Sequence, residues 1–389
     1  MDERSAVVVG AGVGGLAAAV ALVNAGWRVQ ILERHDRLRA DGAALLLWAN
    51  GVRALRALGM GAALEAIAVR QERGTGGLRT PDGRWLIKMS EPEERGEGLS
   101  GTAVVHRQDL HEALVAALGD AATIRAGATV TGVRLGDAPA VKLGGETMTA
   151  DLIVGADGIS SIARSTLDNH SRLVGAGRVA WRAVVPRFRA PEVADSGETQ
   201  GSGRRFLSAD LGAHGVYWAA EARGSVRPES TAGQLDLLKR WFAGWHEPIG
   251  QLIAATRPEE LMQHPVEYLD PLPRSFVHTG ATSGVALLGD AAHAMTPDLG
   301  QGACLALEDA VTLGVCMGGR AVPDGLRRYE ALRRPRIVKM TKMSRRVGGV
   351  FAAQGRFVVP LRTALLRGIP DKTFAKGAAA LTDWTVPEA

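Results

Sequence analysis

A chain of 389 residues exceeds the length that one hydrophobic core usually fills, so the sequence predicts one large domain or two closely joined domains. Hydrophobic residues make up 46% of the chain and charged residues 22%, which excludes a disordered or fibrous protein. The formal net charge of +5 is spread along the chain, with no basic block interleaved with aromatic residues, so a nucleic-acid partner is not expected.

The apolar run AVVVGAGVGGLAAAVALV near the N-terminus contains four glycines, which favours a buried strand and a helix over a signal peptide or a membrane span. We therefore expect no membrane partner. Cys304 and Cys316 lie twelve residues apart in one helix-like segment, several turns from each other, so a disulfide between them is not expected. This cysteine usage fits a reducing compartment and predicts a cytoplasmic protein.

The chain begins with a predicted strand over 6–9, a helix over 15–25 and a second strand over 28–32, which together form a βαβ unit. Gly10, Gly12 and Gly15 form G-x-G-x-x-G between the first strand and the helix. In this motif the first glycine permits the tight turn, the second lets backbone approach a pyrophosphate, and the third lets the helix pack on the strand. The alternative is a glycine-rich turn without a ligand.

Glu33 ends the second strand, 18 residues after Gly15, where a carboxylate can bind both hydroxyls of an adenosine ribose. A carboxylate there disfavours a 2′-phosphate, so the site is predicted to take FAD or NAD rather than NADP. Arg34 follows and is expected against the adenine or the pyrophosphate. The alternative for Glu33 is a solvated surface residue.

Further along, the pattern predicts a helix over 50–68, a hairpin over 77–89 and a helix over 106–118 with Asp109 in its first turn, followed by short strands over 122–156. From 178 to about 280, alternating strands and one amphipathic helix indicate a separate, mostly antiparallel layer. The pattern of a strand followed by a helix returns at Val285, and the chain after Leu326 is helical and basic. Charged surface helices explain this basic end better than a membrane or nucleic-acid patch.

Two later motifs carry carboxylates at strand ends. Asp157 follows the apolar strand in DLIVGADGISSIAR, and Gly289-Asp290 follow the strand in VALLGDAAHAMTPDLGQGACLALEDA. A carboxylate at the C-terminal end of a strand is a natural acceptor for sugar-alcohol hydroxyls. The alternative for Asp157 is a turn-forming Asp-Gly pair.

These three motifs, in this order over residues 5 to about 335, resemble the class A flavin-dependent monooxygenases, the aromatic hydroxylase family typified by para-hydroxybenzoate hydroxylase. The resemblance implies an α/β fold with a Rossmann-like FAD-binding domain, an inserted mostly antiparallel β-sheet substrate domain and a C-terminal helical segment. It also implies that Asp290 binds the ribityl chain of FAD, that Asp157 serves both FAD and the nicotinamide nucleotide, and that Arg107 in VHRQDL touches the cofactor.

The expected domain limits follow from this resemblance. The FAD-binding domain covers 1–177, including a strand and loop excursion over 70–105, and returns over 281–330. The substrate-binding sheet covers 178–280, and C-terminal helices cover 331–389.

The motif that contains Gly289 and Asp290 also places the start of a helix beside the flavin. A helix N-terminus stabilises negative charge on the reduced ring, with Pro297 fixing the entry and Gly300 and Gly302 exposing bare N–H groups, and Gln301 lies between these glycines. Pro297 is also expected to line the substrate pocket. In the family, reduced flavin and O2 give a C4a-hydroperoxide whose distal oxygen passes to the substrate, so an apolar, water-excluding pocket is expected under the inserted strands.

The segment TPDLGQGAC, with Asp298 and Leu299, is similar to the urate hydroxylase and zeaxanthin epoxidase-like branch. The twelve-residue spacing from Arg205 to Tyr217 implies, by the same resemblance, a substrate-binding arginine and a tyrosine that faces the substrate. The alternatives are a surface salt bridge for Arg205 and a core position with a satisfied hydroxyl for Tyr217.

Two further residues each have two alternative roles. Arg182 stands where the urate hydroxylase pattern has asparagine, and it is either structural or substrate-facing. His293 in DAAHAM is either a general base or a packing residue that orients the flavin.

The resulting expectation is an FAD-dependent monooxygenase that consumes NADH or NADPH and O2 and hydroxylates or epoxidises an aromatic, heteroaromatic or conjugated small molecule. It is expected to hold no metal and to be a monomer or a homodimer. One alternative is a flavin dehydrogenase or reductase on the same scaffold, which inserts no oxygen. The other is a flavin-binding partner protein without catalysis.

Overall fold

The computed structural model describes residues 4–38, 44–69, 76–89, 101–193, 195–224, 230–369 and 371–388. Residues 70–75 and 90–100, which belong to the expected excursion over 70–105, lie outside the described residues.

Groups of strands are separated by helices in the first half of the described chain, and helices dominate its end. The strands are β1 (Ser5–Val9), β2 (Arg28–Leu32), β3 (Ala44–Leu47), β4 (Ala68–Val69), β5 (Gly76–Arg79), β6 (Trp85–Met89), β7 (Ala103–His106), β8 (Ala122–Arg125), β9 (Val130–Arg134), β10 (Ala140–Leu143), β11 (Glu146–Thr149), β12 (Leu152–Gly155), β13 (Leu173–Val185), β14 (Gly197–Gln200), β15 (Arg204–Asp210), β16 (Val216–Arg223), β17 (Met262–Leu269), β18 (Val277–Thr279) and β19 (Gly284–Leu287). The helices are α1 (Val13–Asn24), α2 (Ala49–Ala57), α3 (Gly61–Ile67), α4 (Arg107–Leu118), α5 (Ile162–Leu167), α6 (Thr231–Trp241), α7 (Ile249–Ala255), α8 (Asp290–His293), α9 (Gly302–Met317), α10 (Val322–Phe351), α11 (Val358–Arg367) and α12 (Asp371–Leu381).

The first large sheet is the nucleotide-binding half. Its order is β18-β19-β12-β1-β2-β8, and every pair is parallel except the edge pair β18-β19. The central strands are almost entirely buried, as expected where helices cover both faces of a parallel sheet. Helices α1 and α9 pack together closely enough that a Cβ on Gly314 would lie 2.7 Å from the Cβ of Ala21. The apolar run at the N-terminus is therefore β1 and α1, and no described helix is long and apolar enough to cross a bilayer.

The second large sheet covers the site from the other side. Its order is β17-β13-β16-β15-β14-β5-β6, antiparallel except for the pair β14-β5. Along β13, β15 and β16, alternate side chains such as Trp181, Phe206 and Trp218 pack against α6 and α7. The residues between them face the nucleotide-binding half. The expected inserted antiparallel sheet is confirmed, and the hairpin β5-β6 extends it at one edge.

Two element limits differ from the pattern-based expectation. The helix predicted over 50–68 is two helices, because Gly59 adopts φ +82°, a left-handed conformation that ends α2 before Gly61 begins α3. Helix α10 runs without interruption from Val322 through residue 330, the limit expected between the returning segment and the C-terminal helices.

Candidate active site

The sequence motifs meet at one edge of the parallel sheet. Strands β19, β12, β1 and β2 are neighbours in that order, so their C-terminal ends lie side by side. Backbone hydrogen bonds join the turns themselves: Gly10 N–H donates to the Leu32 carbonyl at 2.8 Å, and Ala156 N–H donates to the Val9 carbonyl at 2.9 Å. In open α/β sheets this edge is where ligands bind.

The three glycines of G-x-G-x-x-G have three different surroundings. Gly10 has φ +101°, and a Cβ there would lie 2.5 Å from the Ala156 carbonyl oxygen. A Cβ on Gly15 would collide with the carbonyl oxygen of Gly10. A Cβ on Gly12 would meet nothing within 4 Å. Gly10 and Gly15 are therefore required for packing of the protein itself, whereas the space beside Gly12 is open to a pyrophosphate.

Glu33 holds this turn in shape. Its Oε2 accepts from Ala11 N–H at 2.9 Å and its Oε1 accepts from His35 N–H at 3.0 Å. His111, a buried residue of α4, places its Nε2 2.8 Å from the Ala11 carbonyl oxygen. It belongs to none of the sequence motifs and was not predicted. Arg34 is exposed beside Glu33, so its guanidinium is accessible to a phosphate or an adenine.

Asp157 and Asp290 have different environments. The Asp157 carboxylate accepts from Ser161 Oγ at 2.5 Å and from the N–H groups of Ile162 and Ala163 at 2.7 and 3.2 Å, so it binds the N-terminus of α5. Asp290 begins α8 and is exposed directly after a run of buried residues. Asp290 is therefore available to a polar ligand, while Asp157 already has three protein donors.

Arg164 joins the two acidic turns. Its Nη1 donates to the Ala291 carbonyl at 3.1 Å and its Nη2 to the Ile159 carbonyl at 2.7 Å. Burial lowers the pKa of Arg164, although Asp157 and Asp290 act in the opposite direction. Arg164 is thus a positioning residue for both turns, a role with no local sequence signal beyond its place after the serines.

A network of buried charged side chains stabilises the Gly289-Asp290 turn from the protein interior. Asp309 Oδ2 accepts from Gly289 N–H at 3.0 Å and lies 2.6 Å from His293 Nε2, and its Oδ1 accepts from Arg333 Nε at 2.7 Å. Burial acts to raise the pKa of Asp309, but His293 and Arg333 outweigh it and hold the pKa at about 2. His293 is 1% exposed and faces Asp309, a position that favours the packing and orienting alternative.

The predicted flavin loop is a 3-10 turn over Pro297–Leu299, followed by Gly300 with φ +62° and by Gln301 at the start of α9. Within the described part of the chain, three buried polar atoms have no hydrogen-bond partner near this loop: Trp48 Nε1, Asn50 Oδ1 and Gln301 Nε2. A Cβ on Gly300 would lie 3.1 Å from that Trp48 nitrogen. Orphaned donors and an orphaned acceptor fit a flat heterocycle that carries both kinds of group.

Asp298 connects the flavin loop to the second sheet. It accepts two hydrogen bonds from Arg178, at 2.7 and 2.6 Å, and lies 3.2 Å from Arg205. Glu221 joins both arginines, at 3.0 Å from Arg178 and 2.5 Å from Arg205, while Glu198 lies 3.4 Å from Arg205. Burial raises the pKa of Glu198. At this end the sheet face carries buried charges where the sequence predicted an apolar pocket, and Arg205 is 12% exposed in its side chain and belongs to no surface salt bridge.

The same sheet face carries Arg182 and Tyr217. Arg182 lies opposite Ala219, and Tyr217 lies opposite both Val184 and Ala209. Burial raises the pKa of Tyr217, which is opposed by the charge of Arg182. Among the described residues, neither the Tyr217 hydroxyl nor the Arg182 guanidinium has a hydrogen-bond partner. Both residues are half-buried, and Tyr217 packs against the apolar cluster that contains Val104 and Ala209.

A model of the FAD-binding domain family matches residues 3–344. Aurachin C monooxygenase/isomerase of Stigmatella aurantiaca is 34% identical, over 93% of each chain, and FAD-dependent urate hydroxylase of Klebsiella pneumoniae subsp. pneumoniae is 32% identical, over 88% of each chain. The chain belongs to the FAD-dependent monooxygenases. The resemblance inferred from the motifs is confirmed.

Structural comparison gives the same result for this monooxygenase. The crystal structure of Klebsiella pneumoniae HpxO complexed with FAD and uric acid matches it with a TM-score of 0.82 and 27% sequence identity, covering 97% of this chain and 96% of that one. FAD is the cofactor of the monooxygenase, with NAD(P)H and O2 as the co-substrates that its family uses. The Gly12 opening, the exposed Asp290 and the orphaned polar atoms beside Gly300 fit an extended FAD molecule.

Proposed function

We propose that this monooxygenase hydroxylates or epoxidises a planar aromatic, heteroaromatic or conjugated small molecule that binds between the flavin loop and the second sheet. The observation that carries this proposal is the sheet face with Arg182 and Tyr217, which is joined to the flavin loop by Asp298. A half-buried cation and a half-buried hydroxyl, both without protein partners among the described residues, offer hydrogen bonds to an oxygen of a flat substrate.

The proposed FAD-binding residues follow the turns at the sheet edge. The pyrophosphate lies at Gly10, Gly12 and Gly15 and the adenosine ribose at Glu33, since these positions combine bare N–H groups with a fixed carboxylate. The ribityl chain lies at Asp290, after Gly289. The further proposed contacts are Arg34, Arg107, Asp157, Pro297, Gly300, Gln301 and Gly302. When bound, FAD supplies the electron transfer from NAD(P)H and the activation of O2.

The proposed substrate contacts are Tyr217, Arg182 and Pro297. Arg205 is proposed to bind the substrate at one end of the pocket. Glu221 and Asp298 lie on either side of its guanidinium and hold it in place. We assign His293 to positioning of the Gly289-Asp290 turn through Asp309, in preference to base catalysis, because its ring is buried and its Nε2 is engaged.

The proposed organisation keeps the FAD-binding domain over 1–177 and 281–330, the substrate sheet over 178–280 and the C-terminal helices over 331–389, with β13 crossing the first limit and α10 crossing the last. A cytoplasmic location is proposed from the two buried cysteine thiols of α9. A monomer or a homodimer is the proposed assembly.

The test is a substrate screen on the FAD-loaded enzyme with an oxygen electrode, absorbance of NADH or NADPH and product mass. Uric acid and other purines, phenols, indoles and polyketide-like aromatics are suitable compounds. The expected result is a compound that stimulates both signals and gives a product heavier by one oxygen atom. Substrate oxidation without matching oxygen consumption would instead support the dehydrogenase or reductase. A flavin that NAD(P)H never bleaches, with or without these compounds, would support the non-catalytic alternative.

A further inference from the structure

Helix α11 buries a charged side chain and exposes large apolar ones, the reverse of a helix that packs on a protein core. One of its two arginines, Arg362, is 5% exposed, and it donates from Nη1 to the Phe351 carbonyl at 3.1 Å and from Nη2 to the Gly201 carbonyl at 3.0 Å. Two of its three leucines face outward: Leu361 is 62% exposed and Leu365 is 65% exposed, whereas Leu366 is half-buried. Phe357, one turn earlier on the same side, is 74% exposed. Large apolar side chains in such a row mark a surface that binds something apolar.

The sequence around this row is strongly basic, and of its cations Arg362 is buried while Arg345 pairs with Asp270. Between residues 339 and 376 the only acidic residue is Asp371, against nine basic residues: Lys339, Lys342, Arg345, Arg346, Arg356, Arg362, Arg367, Lys372 and Lys376. Lys339, Lys342 and Arg346 are all exposed and are spaced three and four residues apart, so they share one face of α10. In the described part of the chain, no carboxylate pairs with these three side chains.

We propose that the surface formed by Lys339, Lys342, Arg346, Phe357, Leu361 and Leu365, the α10–α11 surface, docks on a lipid bilayer that contains anionic headgroups. The apolar row would enter the boundary between headgroups and acyl chains, and the basic row would contact the headgroups, each cation adding to the attraction. This is peripheral binding, which needs no membrane-spanning helix, and it departs from the expectation, drawn from the sequence, that the protein has no membrane partner.

Two other occupants fit this surface less well. A second copy related by two-fold symmetry would place the same patch against itself, so its lysines and arginines would approach each other without carboxylates between them. A nucleic acid would be recognised through phosphates and stacked bases, and Phe357 is the one aromatic side chain of the α10–α11 surface. Charge complementarity combined with apolar side chains favours the anionic bilayer.

Docking here would place the bilayer beside the substrate sheet. Arg362 contacts Gly201 in the turn between β14 and β15, and Gly203 N–H of the same turn donates to the Ala353 carbonyl at 3.2 Å. That turn leads directly into Arg205. A bilayer at the α10–α11 surface therefore lies on the side of the enzyme where the substrate sheet begins.

The test is co-sedimentation of the full-length, FAD-loaded enzyme with vesicles. Vesicles of phosphatidylcholine mixed with phosphatidylglycerol should retain the enzyme at low salt and release it at high salt, whereas phosphatidylcholine alone should bind it at least about tenfold more weakly. The double variants Leu361→Gln/Leu365→Gln and Lys342→Glu/Arg346→Glu should each lower the bound fraction about tenfold or more. Leu332→Gln, at a 41% exposed leucine elsewhere on α10, is the matched control and should bind like the wild type.

Absence of wild-type pelleting with anionic vesicles would overturn the proposal, and so would binding that neither double variant weakens. Light scattering after size exclusion, on the wild type and the leucine double variant, tests the second copy as occupant. A stable dimer that the leucine substitutions dissociate, with no vesicle binding, would assign the surface to dimerisation instead. Flavin absorbance and circular dichroism on every variant confirm that the compared proteins are folded.

Discussion

The two halves of the proposed active site are built in different ways. The flavin half consists of backbone turns, with glycines at Gly10 and Gly15 that no larger residue can replace and one exposed carboxylate at Asp290. The substrate half is a sheet face whose position relative to the flavin loop is held by buried ion pairs around Asp298. A shared cofactor requires the first half to stay constant, whereas substitutions of side chains on the second half can change the substrate without disturbing the first.

The sharpest test of this contrast is Arg333→Met, because the flavin half also depends on buried charge below its turns. Arg333 is 1% exposed and neutralises Asp309 and Glu308, which are also buried. Its loss removes one cation from both carboxylates and leaves Asp309 with His293 and Glu308 with Arg336 as remaining partners, so the free energy of unfolding should fall by about 3 kcal/mol. Urea denaturation measures the change. The control, Arg327→Met, removes a surface pair with Asp324 and should cost about 0–1 kcal/mol.

If the two variants lost equal stability, the network under Gly289 would be no more important than a surface pair. The flavin half would then be supported by its backbone turns alone, and buried ion pairs would matter only in the substrate half.

The second test separates ligand contact from protein packing within the glycine motif. A Cβ on Gly12 meets no protein atom within 4 Å, so Gly12→Ala should leave the unfolding temperature of the flavin-free protein unchanged. It should weaken FAD binding at least about tenfold, because the methyl group occupies the space of the pyrophosphate. Flavin fluorescence titration gives the affinity. Gly132→Ala, on β9 with ordinary contacts only, is the control and should bind FAD like the wild type. Normal FAD affinity of Gly12→Ala would show that the phosphates lie elsewhere.

The third test concerns the substrate half alone. Tyr217→Phe removes a hydroxyl that has no partner among the described residues, so stability and FAD affinity should stay within error of the wild type. Turnover of the compound found by the substrate screen should fall about tenfold in kcat/KM, the effect of one lost hydrogen bond. Steady-state oxygen consumption and product mass measure it. An unchanged kcat/KM would remove Tyr217 from the substrate contacts.

The same contrast explains what the sequence predicted. Gly10, Glu33 and Asp290 could be located because each belongs to a strand-turn-helix unit whose spacing fixes its place at the sheet edge. The pairs around Asp298 had no such signal, because Arg178 lies 43 residues from Glu221 and 120 residues from Asp298. The register of β13, β15 and β16 brings Arg178, Arg205 and Glu221 onto one sheet face, and Asp298 reaches them from the flavin loop. The pocket was expected to be apolar because the chemistry of the family requires that water be excluded, and residue spacing along the chain does not show which charges meet across a sheet face.

The smallest predicted effect lies where the two halves touch. His106, at the end of β7, stacks on His214 of the second sheet with ring centroids 4.2 Å apart, and His214 Nε2 lies 2.8 Å from Asp109 of α4. Burial, followed by the charge of His214, lowers the pKa of His106 below its ordinary 6.5, although Asp109 and Glu112 act in the opposite direction.

The sign follows from the lowered pKa. The fold favours neutral His106, so its contribution to stability is complete above pH 6.5 and is lost as the pH falls through the lower pKa of the folded state. His106→Gln should therefore reduce the loss of unfolding free energy on acidification by less than about 1 kcal/mol. Urea denaturation on both sides of this pH range measures it, with His35→Gln, at an exposed histidine, as the control. An identical pH dependence in His106→Gln and the wild type would mean that the stacked pair contributes no pH-sensitive stability to the contact between the halves.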